Sequence, residues 1–247
     1  NRAIGLYVRA YDVDLSEAVV PEGGYRTFDE FFTRSLELSA RPLAGDERTL
    51  VSPADGRVED AGSIEPGARV RVKGCEYSVA DLLGENGARF EGGQFAIVYL
   101  SPRDYHRVHA PVAGRVHTLR HVGGTLLPVN AFGLASYPNL FARNERVVFF
   151  QDAVPGEVVT IMVGAVGVGR ITVSFDRSVM TNVGRGPTTL RYESHAAPNL
   201  ARGDELGIFH LGSTAIVLIA PTVEASLHVQ AGDVVKMGSA LAVGGAR

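Results

Sequence analysis

Two textures of apolar spacing divide the chain. Over residues 1 to about 20, Ile4, Leu6, Tyr7, Val8, Tyr11, Leu15, Ala18 and Val19 recur at roughly helical intervals, with Arg2, Arg9, Asp12 and Glu17 between them. Pro21 and the Gly23-Gly24 pair end that pattern. A second, short helix is predicted after Thr27, whose spacing to Glu30 is that of a capping box. Phe28, Phe31, Phe32 and Leu36 then share one stripe. The stripe has two readings: it packs on its own domain, or it lies in a lipid interface with arginines at the headgroup level. From residue 50 the pattern changes to short β-branched and aromatic runs between Gly and Pro turns. Strands are predicted at 57–61, 69–73, 94–100, 115–121, 145–150, 157–163, 168–175, 205–209, 215–220 and 225–229, with short helices at 78–84 and 102–105.

Two segments look alike. Pro53-Ala54-Asp55-Gly56-Arg57-Val58 and Pro111-Val112-Ala113-Gly114-Arg115-Val116 each read as a turn feeding a strand. Ala231-Gly232-Asp233-Val234-Val235-Lys236-Met237-Gly238 has the turn-rich look of a further hairpin. The expected fold is therefore mainly β (α+β), a duplicated-hairpin β-sandwich or barrel core. Residues 46–247 would form this β-rich domain, and residues 1–45 an amino-terminal, amphipathic, helical segment that associates with membrane.

Composition narrows the chemistry. The 247 residues, 45% hydrophobic, suffice for a sizeable core. A net charge of −3 gives no electrostatic footprint for nucleic acid. Cys75 is the sole cysteine, so no disulfide forms within the chain, as suits a reducing compartment. The only lysines are Lys73 and Lys236, and neither has the setting of a pyridoxal-binding lysine. No apolar run approaches the roughly 18–20 residues of a membrane-crossing helix. The chain starts with Asn1 and lacks a signal-peptide apolar region, as expected of a truncated or processed product.

Three local patterns carry candidate chemistry. Ser52-Pro53-Ala54-Asp55-Gly56 puts an aspartate in a turn, which by itself fits an Asx turn. Tyr105-His106-Arg107-Val108-His109-Ala110-Pro111 holds two histidines that face opposite sides if extended and converge if turned. With one cysteine and no HExxH helix, zinc is a poor fit. Leu211-Gly212-Ser213-Thr214 sets a serine on a tight turn before the run Ala215–Ala220, which reads as a buried strand. Asp, His and Ser in this order are the parts of an activated serine, though any large chain holds such a trio. Gly164-Ala165-Val166-Gly167-Val168-Gly169 lacks the following helix of a dinucleotide loop and fits a turn between strands.

In combination these motifs resemble the phosphatidylserine decarboxylases, a family of pyruvoyl-dependent enzymes. The resemblance is carried by Phe31-Phe32-Thr33-Arg34 with Arg41-Pro42, the Asp55 and His106/His109 motifs, Asn144-Glu145-Arg146, and Gly207-Ile208-Phe209 leading into Leu211-Gly212-Ser213-Thr214. It implies that Asp55, His109 and Ser213 form a self-processing triad. Ser213 Oγ would attack the Gly212 carbonyl while His109 takes its proton and Asp55 holds the imidazole. Elimination and loss of ammonia would leave a pyruvoyl group, the covalent cofactor, at the start of residues 213–247, held in the sheet by strand pairing. The ketone would then act as electron sink for loss of CO2, and His106 would return the proton to Cα. The resemblance further implies phosphatidylserine as substrate, phosphatidylethanolamine as product, two chains (β and α) from one precursor and no dissociable cofactor or metal. It points to peripheral association with a membrane surface, at the cytoplasmic face of an inner membrane, and leaves room for a homodimer. Two alternatives stay open: a pyruvoyl-dependent decarboxylase of a soluble amino acid, and a non-catalytic binding protein on the same fold. His117, His121, His195, His210 and His228 are expected to be surface or structural, and Asn144-Glu145-Arg146 an internal salt-bridged support.

Overall fold

The computed structural model describes residues 2–154, 156–167, 170–183, 186–211 and 214–245. Its centre is the strand Thr214–Ile219, buried at every position. It pairs along its whole length with Gln94–Tyr99 on one side and Glu157–Val163 on the other. A strand covered on both faces and paired on both edges has no polar side, which is why its sequence is an unbroken apolar run. Outward from this centre, one flank continues through Gly56–Ser63 to Val234–Val235, and the other through Arg146–Asp152 and Gly114–Val122 to Thr188–Arg191. The main sheet is antiparallel and open at both ends, so among the described residues the expected sandwich or barrel is not a closed barrel.

The look-alike segments are a true structural repeat. Gly56 and Gly114 each open a strand and lie so close to a neighbour's backbone that a Cβ would sit 2.3 Å from the Tyr99 carbonyl oxygen and 1.9 Å from that of Asp152. Only glycine tolerates this approach. Two residues on, each strand bulges, between Val58 and Asp60 and between Val116 and Thr118. Each is preceded by a short strand, Thr49–Val51 or Arg107–His109, within a small three-stranded sheet. The two arms clasp each other: Val51 N donates to Pro111 O at 3.0 Å, and His109 N to Pro53 O at 2.8 Å.

The amino-terminal segment departs from expectation in two ways. The helix covers only Arg2–Tyr11 and stops where Asp12 takes a left-handed conformation, φ 53°. The second helix, Phe28–Phe32, is capped as predicted, with Thr27 Oγ1 accepting from Glu30 N at 3.0 Å. Its stripe, however, does not face lipid. Phe31 and Phe32 are fully buried in a cluster with Ile4, Val13 and Tyr25, against which Leu211 packs. The exposed large apolar side chains of this segment are instead Leu6, Tyr11, Val19, Val20, Leu38 and Leu43.

Elsewhere, 102–105 is a turn, not a helix, because Asp104 Oδ2 accepts from both the amide and the hydroxyl of Ser101 at 2.7 Å. The strand expected at 168–175 is Ile171–Val173, with Val168 and Gly169 outside the described residues. Several observed elements are unpredicted, among them the strands Thr49–Val51, Cys75–Ser78, Arg107–His109, Thr188–Arg191 and Ala240–Val243 and the helices Ala131–Ser136 and Leu140–Arg143. The helices are too short for periodicity, and Thr188–Arg191 is a largely exposed edge strand. Among the described residues no helix is long and apolar enough to cross a membrane.

Candidate active site

The first arm delivers Asp55. The turn before it is closed by Ser52 Oγ donating to Ala54 O at 2.8 Å, and Met237 N donates to Asp55 Oδ1 at 2.8 Å. The carboxylate faces Arg41, which donates from Nε to Oδ1 at 2.9 Å and from Nη2 to Oδ2 at 2.5 Å. Such a fork is the strongest way to hold a carboxylate charged. Arg41 Nη1 in turn donates to Glu17 Oε2 at 2.7 Å, and Lys236 Nζ reaches Glu17 Oε1 at 3.2 Å. A chain of alternating charges thus ties the amino-terminal segment to the turn.

The second arm delivers His109. Its Nδ1 lies 2.7 Å from the Gly203 carbonyl oxygen. A carbonyl only accepts, so Nδ1 carries the proton and Nε2 presents its lone pair. That lone pair receives the Tyr105 hydroxyl at 3.0 Å. Burial pushes the His109 pKa down and the Tyr105 pKa up, so both are neutral. Asp55 does not bond the imidazole here. The backbone of Gly203 fixes the tautomer, and Asp55 acts from further away, its negative charge favouring imidazolium.

His106 is wholly buried against the Phe32 ring, 4.0 Å between centroids. Its Nδ1 donates to Asp104 O at 2.8 Å, leaving Nε2 as an acceptor without a partner. Burial, with the positive charge of Arg34 nearby, pulls its pKa down to about 3. His106 is therefore neutral as the chain stands.

Gly212 and Ser213 lie outside the described residues. Their flanks are fixed on both sides. Phe209 N donates to His106 O at 3.0 Å and His210 N to Arg170 O at 3.0 Å. His210 is held by Asp29 Oδ1 at 2.6 Å and Thr172 Oγ1 at 3.1 Å. On the other side, Thr214 is paired with both Tyr99 and Val163, and its buried Oγ1 has no partner among the described residues.

The supporting triplet is internal, as expected. Asn144 Nδ2 donates to the carbonyls of Leu127 and Gly164 at 2.8 Å each, pinning the start of the glycine-rich turn. Arg146 donates to the carbonyls of Leu82, Asp81, Ala142 and Asn144, so carbonyls rather than carboxylates hold it. Glu145 pairs with His121 at 2.8 Å. Arg41, Tyr105 and Arg34 stood only as members of quoted motifs, and Gly203 gave no signal, since a backbone acceptor has none in sequence.

A family model described as phosphatidylserine decarboxylase matches residues 28–243. The chain is 44% identical to a phosphatidylserine decarboxylase proenzyme of Bordetella pertussis, over 90% of this chain and 76% of that one. It is 43% identical to a protein of the same name from Ectopseudomonas mendocina and 44% to one from Pseudomonas aeruginosa strain LESB58, each over 98% of this chain and 86% of the relative. With its paired arms, its buried histidines and this likeness over most of its length, the chain belongs to the phosphatidylserine decarboxylase family.

Proposed function

We propose that this chain decarboxylates phosphatidylserine to phosphatidylethanolamine and CO2, using a pyruvoyl group that it makes from its own Ser213. The observation that carries the self-processing step is the state of His109: proton on Nδ1, held by Gly203, and an accepting lone pair at Nε2. That lone pair is the group needed to take the Ser213 hydroxyl proton as Oγ attacks the Gly212 carbonyl. The imidazolium so formed is favoured by the negative charges of Glu205 and of Asp55, whose carboxylate Arg41 and Met237 N hold in place.

The residues around position 213 also fit the cofactor. Two buried polar atoms, His106 Nε2 and Thr214 Oγ1, have no partner among the described residues; Thr214 follows Ser213 in the chain, and His106 O accepts from Phe209 N, shortly before it. A pyruvoyl ketone supplies an electron sink for the carbanion left by CO2. His106 Nε2 is positioned to carry the proton returned to Cα once a charged substrate has altered its surroundings. The exposed apolar side chains Leu6, Tyr11, Val19 and Val20 support peripheral contact with a membrane surface, and two chains from one precursor follow from the same chemistry. Intact Asp55 and His109 speak against a non-catalytic relative.

Intact-mass measurement tests this reading. The expected result is two chains divided after Gly212, the smaller lighter than a serine-started peptide by one ammonia, with CO2 released from phosphatidylserine vesicles and none from free serine. A full-length mass that persists under turnover conditions, or release from free serine alone, overturns it.

A further inference from the structure

Arg34 is a buried cation that makes no ion pair among the described residues; Asp55 and Asp104 act on its charge only from a distance. It is 5% exposed. Its Nη2 donates to the carbonyls of Arg103 and Asp104 at 3.1 and 3.4 Å, while Nε and Nη1 have no partner. Neither neighbouring carboxylate is available: Asp55 is forked by Arg41, and Asp104 is taken by Ser101. The Phe31 ring, 5.5 Å from the guanidinium carbon, covers one face. Leaving two charged donors unsatisfied costs far more than leaving neutral ones so. Beside Arg34 a cavity of about 290 Å³ mixes the cations Arg41, Arg103 and Lys236 with the carboxylates of Asp12, Asp14, Glu17, Asp55 and Asp104. His106, whose Nε2 is likewise unpartnered, feels the Arg34 charge. Two adjacent side chains therefore present unused donors and an unused acceptor in one buried place.

We propose that Arg34 is the subsite for the phosphodiester of the lipid headgroup. The inference rests on the phosphatidylserine reading above. That substrate carries two anions near the reacting carbon, and chemistry separates them. The carboxylate must lose its charge as CO2 departs, so a guanidinium clamped on it would hold the ground state more tightly than the transition state. The phosphodiester keeps its charge throughout. Only a Cβ and an ester oxygen stand between its phosphorus and the Cα that must be reprotonated, so an anion site next to His106 suits it.

Because this contact is equal in ground and transition states, its loss moves KM and spares kcat. In the self-cleaved enzyme, with phosphatidylserine in mixed micelles, Arg34→Gln is expected to raise KM about 10–100-fold, the range for charge-assisted hydrogen bonds, with cleavage after Gly212 retained and Arg34→Lys falling between. An unchanged KM, or a fall in kcat at constant KM, overturns the subsite. Inhibition of the wild-type enzyme tests it without any variant. Glycerophosphoethanolamine is expected to inhibit at concentrations at least about tenfold below those of ethanolamine and of inorganic phosphate. Equal inhibition by all three refutes the proposal, and inorganic phosphate matching the diester would mark a free-phosphate site instead. Failure of the wild-type enzyme to release CO2 from phosphatidylserine would sink the functional reading itself, a separate outcome from a normal rate with an indifferent Arg34.

Discussion

In the first arm Val51, Ser52, Asp55 and Gly56 stand where the second has His109, Ala110, Ala113 and Gly114. The backbones agree at every point where a hydrogen bond or a close approach is needed: the mutual clasp, the glycine against a carbonyl, the bulge two residues on. The side chains differ at the two positions to which the proposed self-processing assigns chemistry. One arm has the carboxylate and a valine, and the other has the imidazole and an alanine. The cover differs too. Residues 17 and 41 of the amino-terminal segment lie over Asp55 and bury it, whereas Ala113 is exposed. A near-symmetric frame thus gains a site by being unequally substituted and unequally covered, each arm supplying one half.

The largest effect should come from removing one half. Asp55→Asn or His109→Ala is expected to slow conversion to two chains about 10²–10⁴-fold, the usual worth of a positioned base, read as full-length protein over a time course. Val51→Ala, at the counterpart of His109, should process at the wild-type rate. Normal maturation of both site variants would remove the two residues from the chemistry.

Next come the shared glycines. Gly56→Ala and Gly114→Ala should each lower stability by about 3 kcal/mol or more, because backbone oxygens occupy the Cβ position. Denaturant melts check this, and matching losses would show that the two arms do the same structural work.

The histidines then give the comparison a pH signature. An unfolded histidine takes a proton near pH 6.5, but folded His106 does so only near 3. Between these values the unfolded state binds more protons, so stability falls as pH drops through the window. The expected loss is about 2 kcal/mol between pH 6.5 and 5, and His106→Gln should flatten that slope in urea titrations. The smallest effect is expected at the exposed counterpart of Asp55: Ala113→Asp should change stability by less than about 0.5 kcal/mol. A larger loss would mean that the second arm is as closely covered as the first.

The sequence was most informative where physics is local. The central strand is an uninterrupted apolar run because both its faces and both its edges are occupied. The arms announce themselves through glycines that no other residue can replace. Thr27 and Glu30 cap a helix at the expected turn. The unread parts are long-range. Nothing near Asp55 predicts that Arg41 will fork it, and nothing near His109 predicts the Gly203 carbonyl. The Phe31/Phe32 stripe leaves burial and a lipid interface both open, and nothing in it names its partners Ile4, Tyr25 and His106.

The strand Thr214–Ile219 has one more consequence. A cut after Gly212 would leave it belonging to the shorter piece, yet hydrogen-bonded on both edges to strands of the longer one. The pieces would stay together for as long as the sheet survives. After melting they would have to meet by diffusion, so recovery would depend on concentration where the uncut chain refolds alone. The serine that was converted cannot be restored either. Maturation would thus make the protein a single-use device, maintained by new synthesis and not by refolding.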